Sequence, residues 1–393
     1  MSLQRIFQTF GPDYKALHAI PTQEHKAMNS IASCRTPALG GRIDQCDECG
    51  FTRVVLNSCG NRHCPQCQSL AKAAWLQDRQ QDLLLTGYFH VVFTVPEQLN
   101  SLGIRNKKEF YAILFRAASQ TLLELAGDKK HLGAQIGVTA ILHTWGQNLM
   151  FHPHIHCVVT GGGLSLDGNY WVSSRKDFFI PVKVLSKKFR GKFLALIKKA
   201  FHTDKLIFPG KIKDLAHEQN FLEFLKPLYK KDWVVYCKPP FAGPEKVFEY
   251  LGNYTHRVAI SNSRIVSITD KQVAFKWRDY KDGNKNKLMT LDGHEFMRRF
   301  LFHILPQRFV KIRHYGLMSN RCRNTKLLLC KKLLKVKLAQ EQYGKARLTV
   351  AEILLKLTGK DITLCPCCRA GKMLRGTMLY PRNCSPPQVL ETA

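Results

Sequence analysis

The sequence predicts an α+β fold, a mostly antiparallel sheet with helices packed on it, and three observations predict it. Strand-like and helix-like runs alternate irregularly, without the steady rhythm that builds a parallel sheet. Apolar residues make up 45% of the 393 residues, enough for real cores and too many for a disordered chain. Cysteines are uneven. Six (Cys34, Cys46, Cys49, Cys59, Cys64, Cys67) crowd one short stretch, and four (Cys365, Cys367, Cys368, Cys384) sit near the C-terminus. The expected organisation is a small metal-bearing head over 1–86, a sheet-based body over 87–310, and a basic, helical tail over 311–393.

The elements follow in order. Residues 71–85 have helical periodicity and end near Gly87. Residues 90–95 (HVVFTV) form a strand stopped by Pro96. A helix is expected over 107–125, then strands over 136–145 and 155–160, the second closed by Gly161-Gly162-Gly163. A Lys-rich helical stretch covers 185–230, broken near Phe208-Pro209-Gly210. Residues 234–237 read as a strand. Pro244 opens a helix carrying Tyr250 and Tyr254. Residues 258–268 and 272–277 read as a β-hairpin, and after Asp292 the chain looks helical and basic.

Charge narrows the function. Sixty Lys and Arg against 29 Asp and Glu give a net charge of +31. That is the balance of a polyanion binder, and nucleic acid is the expected partner. A ribosome-associated or membrane-surface protein is the blander alternative. No run approaches the ~20 apolar residues of a membrane helix, and the N-terminus lacks a signal-peptide core. A cytoplasmic, nucleoid-associated protein is expected. Its cysteines are then reduced, and such cysteines more often bind metal than pair.

Cys46-x2-Cys49 and Cys64-x2-Cys67 are two knuckles, each aiming two thiolates at one ion. Together they predict a structural four-thiolate zinc site. Cys34, Cys59, His63 and His25 remain for a second ion. The alternative is small buried cysteines and surface histidines. Cys365-x2-Cys368 is half a further site, which Cys384, Cys322 or His314 could complete. One to three zinc ions are therefore expected, and a head this short relies on them to fold.

The most informative stretch is FHPHIHCVVTGGG, 151–163. Strand side chains alternate faces, so His154 and His156 point one way and Ile155 the other. Two imidazoles on one face can grip a metal. Gln147 is the first candidate for a third ligand and His143 the second. Tyr250 and Tyr254 stand four apart, on one face of their helix. Taken singly, each pattern has a bland reading: stacked histidines, and aromatics in a core. Beside a strongly cationic chain they suggest that a tyrosine attacks a DNA phosphorus next to Mg²⁺ or Mn²⁺.

These residues resemble the two-tyrosine rolling-circle transposases of the insertion-sequence-91 family, within the His-hydrophobe-His (HUH) endonuclease superfamily. The matching segments are CRTPALGG (34–41), NSCGNRHCPQCQ (57–68), FHVVFTVP (89–96), TWGQNLMFHPHIHCVVTGGG (144–163), YLGNYTHRVAISNSRI (250–265), EFMRRFLFHILPQRF (295–309) and CPCC (365–368). The resemblance implies the HUH endonuclease fold with a five-stranded antiparallel sheet, a divalent ion on His154 and His156, and Tyr250 and Tyr254 as nucleophiles. It also implies a 5′-phosphotyrosine intermediate, a free 3′-OH, and element ends recognised as single strands or hairpins. A host helicase is a further candidate partner, which the sequence itself does not require. Arg257, Arg264, Lys276 and Arg278 are expected DNA contacts. Two other readings compete: a replication initiator or relaxase of the same chemistry, and a non-catalytic zinc-dependent DNA-binding regulator.

Overall fold

The structure is a computed structural model that describes residues 1–80, 82–175, 179–238, 247, 252, 254–280, 282–334 and 348–381. In chain order the strands are β1 (Gly41–Cys46), β2 (Thr52–Leu56), β3 (Tyr88–Thr94), β4 (Ala134–Trp145), β5 (Phe151–Ser165), β6 (Trp171–Ser173), β7 (Val235–Lys238), β8 (Ile265–Ile268), β9 (Gln272–Asp279), β10 (Lys285–Asp292), β11 (Ile312–Gly316) and β12 (Met373–Leu379). Among the described residues the helices are α1 (Leu3–Leu17), α2 (Thr22–Ala32), α3 (Pro65–Gln80), α4 (Asn100–Arg105), α5 (Lys107–Gly127), α6 (Val182–His202), α7 (Glu218–Lys230) and α8 (Gly293–Leu301), followed by Asn320–Arg323, Lys326–Leu333 and Val350–Thr358. The protein is thus a mixed α/β structure with antiparallel sheets.

Two units are assembled from interleaved stretches. One comprises 1–78, 256–304 and 346–393, the other 79–255 and 305–345. The sequence expectation is of contiguous domains with boundaries at 86 and 310. Chain order carries no sign of such re-entry, because it depends on contacts between residues hundreds of positions apart.

In the second unit the strands run β11-β4-β5-β3-β7, with β6 added on β5, all antiparallel. That is six strands. β5 is central, and its residues from Ile155 to Ser165 are buried. One sheet face is apolar and aromatic. Phe93 packs on Phe189 of α6 at 4.8 Å, and Phe189 and Phe193 both meet Trp233. Phe110 of α5 meets Phe193 at 5.4 Å. Ile155 and Phe93 are cross-strand partners, so Ile155 belongs to this covered face. The opposite face carries the histidines.

The glycine run does not end β5. The strand continues through it to Ser165. A Cβ at Gly161 would lie 2.7 Å from the Gly87 carbonyl oxygen, and one at Gly163 would lie 2.4 Å from that of Gln135. The glycines therefore admit close neighbours rather than a turn.

In the first unit β12-β1-β2 and β10-β9-β8 form two small antiparallel sheets. α1 packs on α2 and α8, with Phe7 edge-on to Phe300 at 5.4 Å. Asp292 caps α8 by accepting from the backbone N–H of His294 and Glu295. Phe10 lies so close to Gly293 that a Cβ there would meet its ring at 2.2 Å.

The expected helical tail needs correction, since β11 and β12 lie within it. Among the described residues each has one neighbouring strand, so neither needs the apolar alternation of a central strand. β11 (Ile312–Gly316, IRHYG) is half-buried throughout, and β12 (Met373–Leu379) is mostly exposed. The hairpin at 258–277 is likewise a three-stranded meander. α3 starts at Pro65, inside the second CxxC, not at residue 71.

Candidate metal and tyrosine site

The thiolates form two groups. Cys34, Cys59, Cys64 and Cys67 make one; Cys46, Cys49, Cys365 and Cys368 make the other. Within the first, Cys34 and Cys59 each lie 3.6 Å from Cys67, and Cys64 lies 3.8 Å from Cys34, sulfur to sulfur. In the second, Cys46 lies 3.7 Å from Cys368 and Cys49 lies 3.6 Å from Cys365. A disulfide is ~2.05 Å long. Tetrahedral zinc with bonds of ~2.3 Å separates its sulfurs by about 3.8 Å. Both groups fit zinc and neither fits a disulfide.

The grouping differs from the one expected. The two N-terminal knuckles do not share an ion-sized space. Each takes its own partners: Cys64-x2-Cys67 takes Cys34 and Cys59, while Cys46-x2-Cys49 takes the C-terminal knuckle. The β1–β12 pairing, with Cys46 opposite Met373, brings the C-terminal knuckle to the first. Neither His63 nor His25 joins a group. His25 is exposed on α2 beside Asn29. Nor does His314, which hydrogen-bonds Thr139. Cys384 lies outside the described residues.

Backbone N–H groups support the C-terminal knuckle: Cys367 donates to Cys365 Sγ, and Gly371 to Cys368 Sγ. The amides of Gly371 and Ala370 bring the Cys368 thiol down to about 6. The hydrogen bond with Cys59 brings Cys64 down to about 5. Both shifts favour a thiolate at these two positions, while the bond that lowers Cys64 pushes the Cys59 thiol up.

On the second unit's sheet, His143, His154 and His156 offer ring nitrogens that all lie within 4.8 Å of one another. Register explains this. His143 on β4 is the cross-strand partner of His154 on β5, and His156 is two residues on. His143 and His156 are buried and His154 half-buried. Gln147 lies in the turn joining β4 to β5, beyond Trp145.

Each histidine has one ring nitrogen engaged outside the group. His143 Nε2–H donates to the Tyr254 carbonyl at 2.8 Å, and His154 Nδ1–H donates to the His152 carbonyl at 2.7 Å. A carbonyl only accepts, so in the neutral rings the lone pairs stand on His143 Nδ1 and His154 Nε2. His156 Nδ1 lies 2.9 Å from His90 Nε2. Three oriented imidazoles are a donor set that fits a divalent ion.

Tyr254 adjoins this group. Its ring centre is 4.3 Å from that of His156 and 5.5 Å from that of His143, the latter pair 17° from parallel. Tyr250 lies outside the described residues. So does most of the segment that Pro244 was expected to open as a helix, although Tyr254 and Thr255 are helical.

Of the expected DNA contacts, Arg257, Lys276 and Arg278 are exposed. Lys276 and Arg278 share one face of β9. Arg264 is committed elsewhere: its Nε donates to the Lys276 carbonyl at 2.8 Å, and its guanidinium lies over Phe275. Burial brings its pKa down to about 10. Among the described residues, no helix is long and apolar enough to cross a membrane.

Comparison with known proteins gives these features a setting. A family model described as "Putative transposase" matches residues 137–326, and another, "Transposase zinc-binding domain", matches residues 6–95. The chain is 47% identical to "Putative transposase y4qJ" of Sinorhizobium fredii, over 99% of this chain and 98% of that protein. It is 27% identical to the transposase for insertion sequence element IS801 of Pseudomonas savastanoi, over 76% of this chain and 71% of that one. No solved structure matches it significantly.

These findings define a zinc-binding transposase. The chain belongs to the insertion-sequence-91 family of transposases. DNA is accordingly its expected partner, and DNA cleavage its expected activity.

Proposed function

We propose that this protein nicks and rejoins single-stranded DNA at the ends of its element, through a tyrosine joined covalently to a 5′ phosphate, and so drives rolling-circle transposition. Tyr254 is the nucleophile in the described site, and Tyr250 is its partner. The observation that carries this reading is the Tyr254 ring 4.3 Å from His156, a member of a convergent three-histidine group.

In this reading His143, His154 and His156 hold the divalent ion, Mg²⁺ or Mn²⁺. His143 takes the place for which Gln147 was the first candidate, because register puts it opposite His154. The bound ion would polarise the scissile phosphate and offset charge on its oxygens. The Tyr254 phenolic oxygen, having lost its proton, forms a bond to phosphorus as the phosphorus–O3′ bond breaks. The departing 3′ oxygen takes up a proton and becomes a free 3′-OH. The phosphodiester energy is kept in the tyrosine ester, so reversal onto another 3′-OH needs no nucleotide cofactor. A second tyrosine permits a second transfer before the first is undone.

Two four-thiolate groups hold structural zinc, one per group. Lys276, Arg278 and Arg257 contact the DNA backbone, and the element ends are taken as single strands or hairpins. A host helicase supplies the single strand.

The test is incubation of the protein with labelled single-stranded oligonucleotides carrying an element end, in Mg²⁺ or Mn²⁺. A denaturation-resistant protein–DNA adduct is expected. Tyr250→Phe/Tyr254→Phe should form none, and an undiminished adduct in that variant would remove the tyrosines from the chemistry. Normal DNA binding with no adduct in the parent protein would favour a regulator.

A further inference from the structure

His90 sits on β3, on the same sheet face as the three histidines, and is buried. It pairs in register with Val158, two residues beyond His156 on β5. Its Nε2 is 2.9 Å from His156 Nδ1, the ring planes are 10° from parallel, and the ring centres are 5.2 Å apart. Those three values together describe rings joined edge to edge, with the hydrogen bond lying along the nitrogen lone pair rather than between stacked faces.

Of the three metal-facing imidazoles, His143 and His154 are oriented by backbone carbonyls, which can only accept. Their tautomers are set by the fold itself. His156 differs, because its outer partner is another imidazole, and an imidazole nitrogen can donate or accept. If His90 donates, His156 Nδ1 carries the lone pair. If His90 accepts, His156 carries its proton on Nδ1 and presents the Nε2 lone pair, as His154 does.

We propose that His90 is a positioning residue: it accepts the Nδ1 proton of His156 and thereby holds that ring in the tautomer and plane in which Nε2 binds the divalent ion. The proposal rests on the three-histidine metal reading above. Nothing about His90 requires contact with DNA or with the reacting atoms. It acts through His156, as outer partners of ligating histidines do. His156 is paired on both sides, with Val92 of β3 and Ile141 of β4, so the backbone beside it is engaged in the ladder. A side chain from the neighbouring strand is the available acceptor.

The experiment is Mn²⁺ binding to the full, zinc-loaded protein, followed by electron paramagnetic resonance of free Mn²⁺, without DNA. Three variants are compared with the parent. His90→Gln places an amide oxygen near the position of Nε2 and keeps an acceptor. His90→Asn is polar but too short to reach, and His90→Leu has no acceptor. The Asn and Leu variants should bind Mn²⁺ about 10- to 100-fold more weakly, and Gln should stay within about threefold of the parent. Parental affinity in both Asn and Leu overturns the proposal. So does a Gln variant as weak as Leu, because packing rather than the acceptor would then matter. Should Leu fail to fold, Asn against Gln decides. Parent protein whose Mn²⁺ binding is unchanged by His154→Ala/His156→Ala would instead defeat the metal reading on which the proposal rests.

Discussion

His143 Nε2–H donates to the backbone carbonyl of Tyr254 at 2.8 Å, and the two rings lie 17° from parallel. One residue thus links two parts of the site. Its Nε2 holds the Tyr254 carbonyl beside the sheet. The same ring belongs to the group with His154 and His156. Displacing His143 should disturb both the metal and the nucleophile, whereas a ligand on the turn would disturb only the metal.

That link separates His143 from Gln147. His143→Ala should lower adduct formation by about 100-fold or more, the scale of losing several kcal/mol of stabilisation at a phosphate. Gln147→Ala should retain most of it. Rates of adduct formation across a Mn²⁺ titration measure this, and the reverse order would return Gln147 to the ligand set.

The thiolate groups predict a zinc stoichiometry. Metal analysis should find two ions per chain. Cys46→Ser and Cys365→Ser should each leave one, and the double variant should also leave one, because both residues serve the same group. Cys46→Ser/Cys64→Ser should leave none. One ion remaining in this last variant would restore the pairing of the two N-terminal knuckles.

His314 predicts a pH dependence. Burial first, then the charges of Arg79 and Arg323, bring its pKa down from 6.5 to about 4. The folded state therefore binds its proton less readily than the unfolded one. Its contribution is complete above pH 6.5 and is lost as the pH falls toward 4. The loss amounts to at most about 3 kcal/mol. Denaturant unfolding of His314→Gln at pH 7 and at pH 4.5 should show a smaller drop than the parent; an equal drop would locate the acid sensitivity elsewhere.

Salt dependence tests the DNA surface. Single-strand affinity should fall with salt at a log–log slope of about −0.7 per phosphate contacted. Lys276→Ala/Arg278→Ala should make that slope shallower by about 1.4 if each side chain meets one phosphate. Arg264→Ala should chiefly lower stability, because its guanidinium is held by the Lys276 carbonyl and lies over Phe275. An unchanged slope in the double variant would place the DNA on another surface.

What the sequence determined by itself was local. Alternation along 154–156 put both histidines on one face, because neighbouring strand residues must point oppositely. Apolar β-branched runs marked β3, β4 and β5, and knuckle spacing marked cysteines as metal ligands. The glycines at 161–163 are ambiguous in sequence, since a close approach and a turn call for the same residue. What only the tertiary structure decided were the partnerships. Which knuckle shares an ion with which depends on β12 lying beside β1, more than three hundred residues away in sequence. His143 rather than a turn residue faces His154 because of the β4–β5 register, and His90 reaches His156 because β3 pairs on the other side. Register is the balance of many ladder contacts made at once, and no short motif carries it.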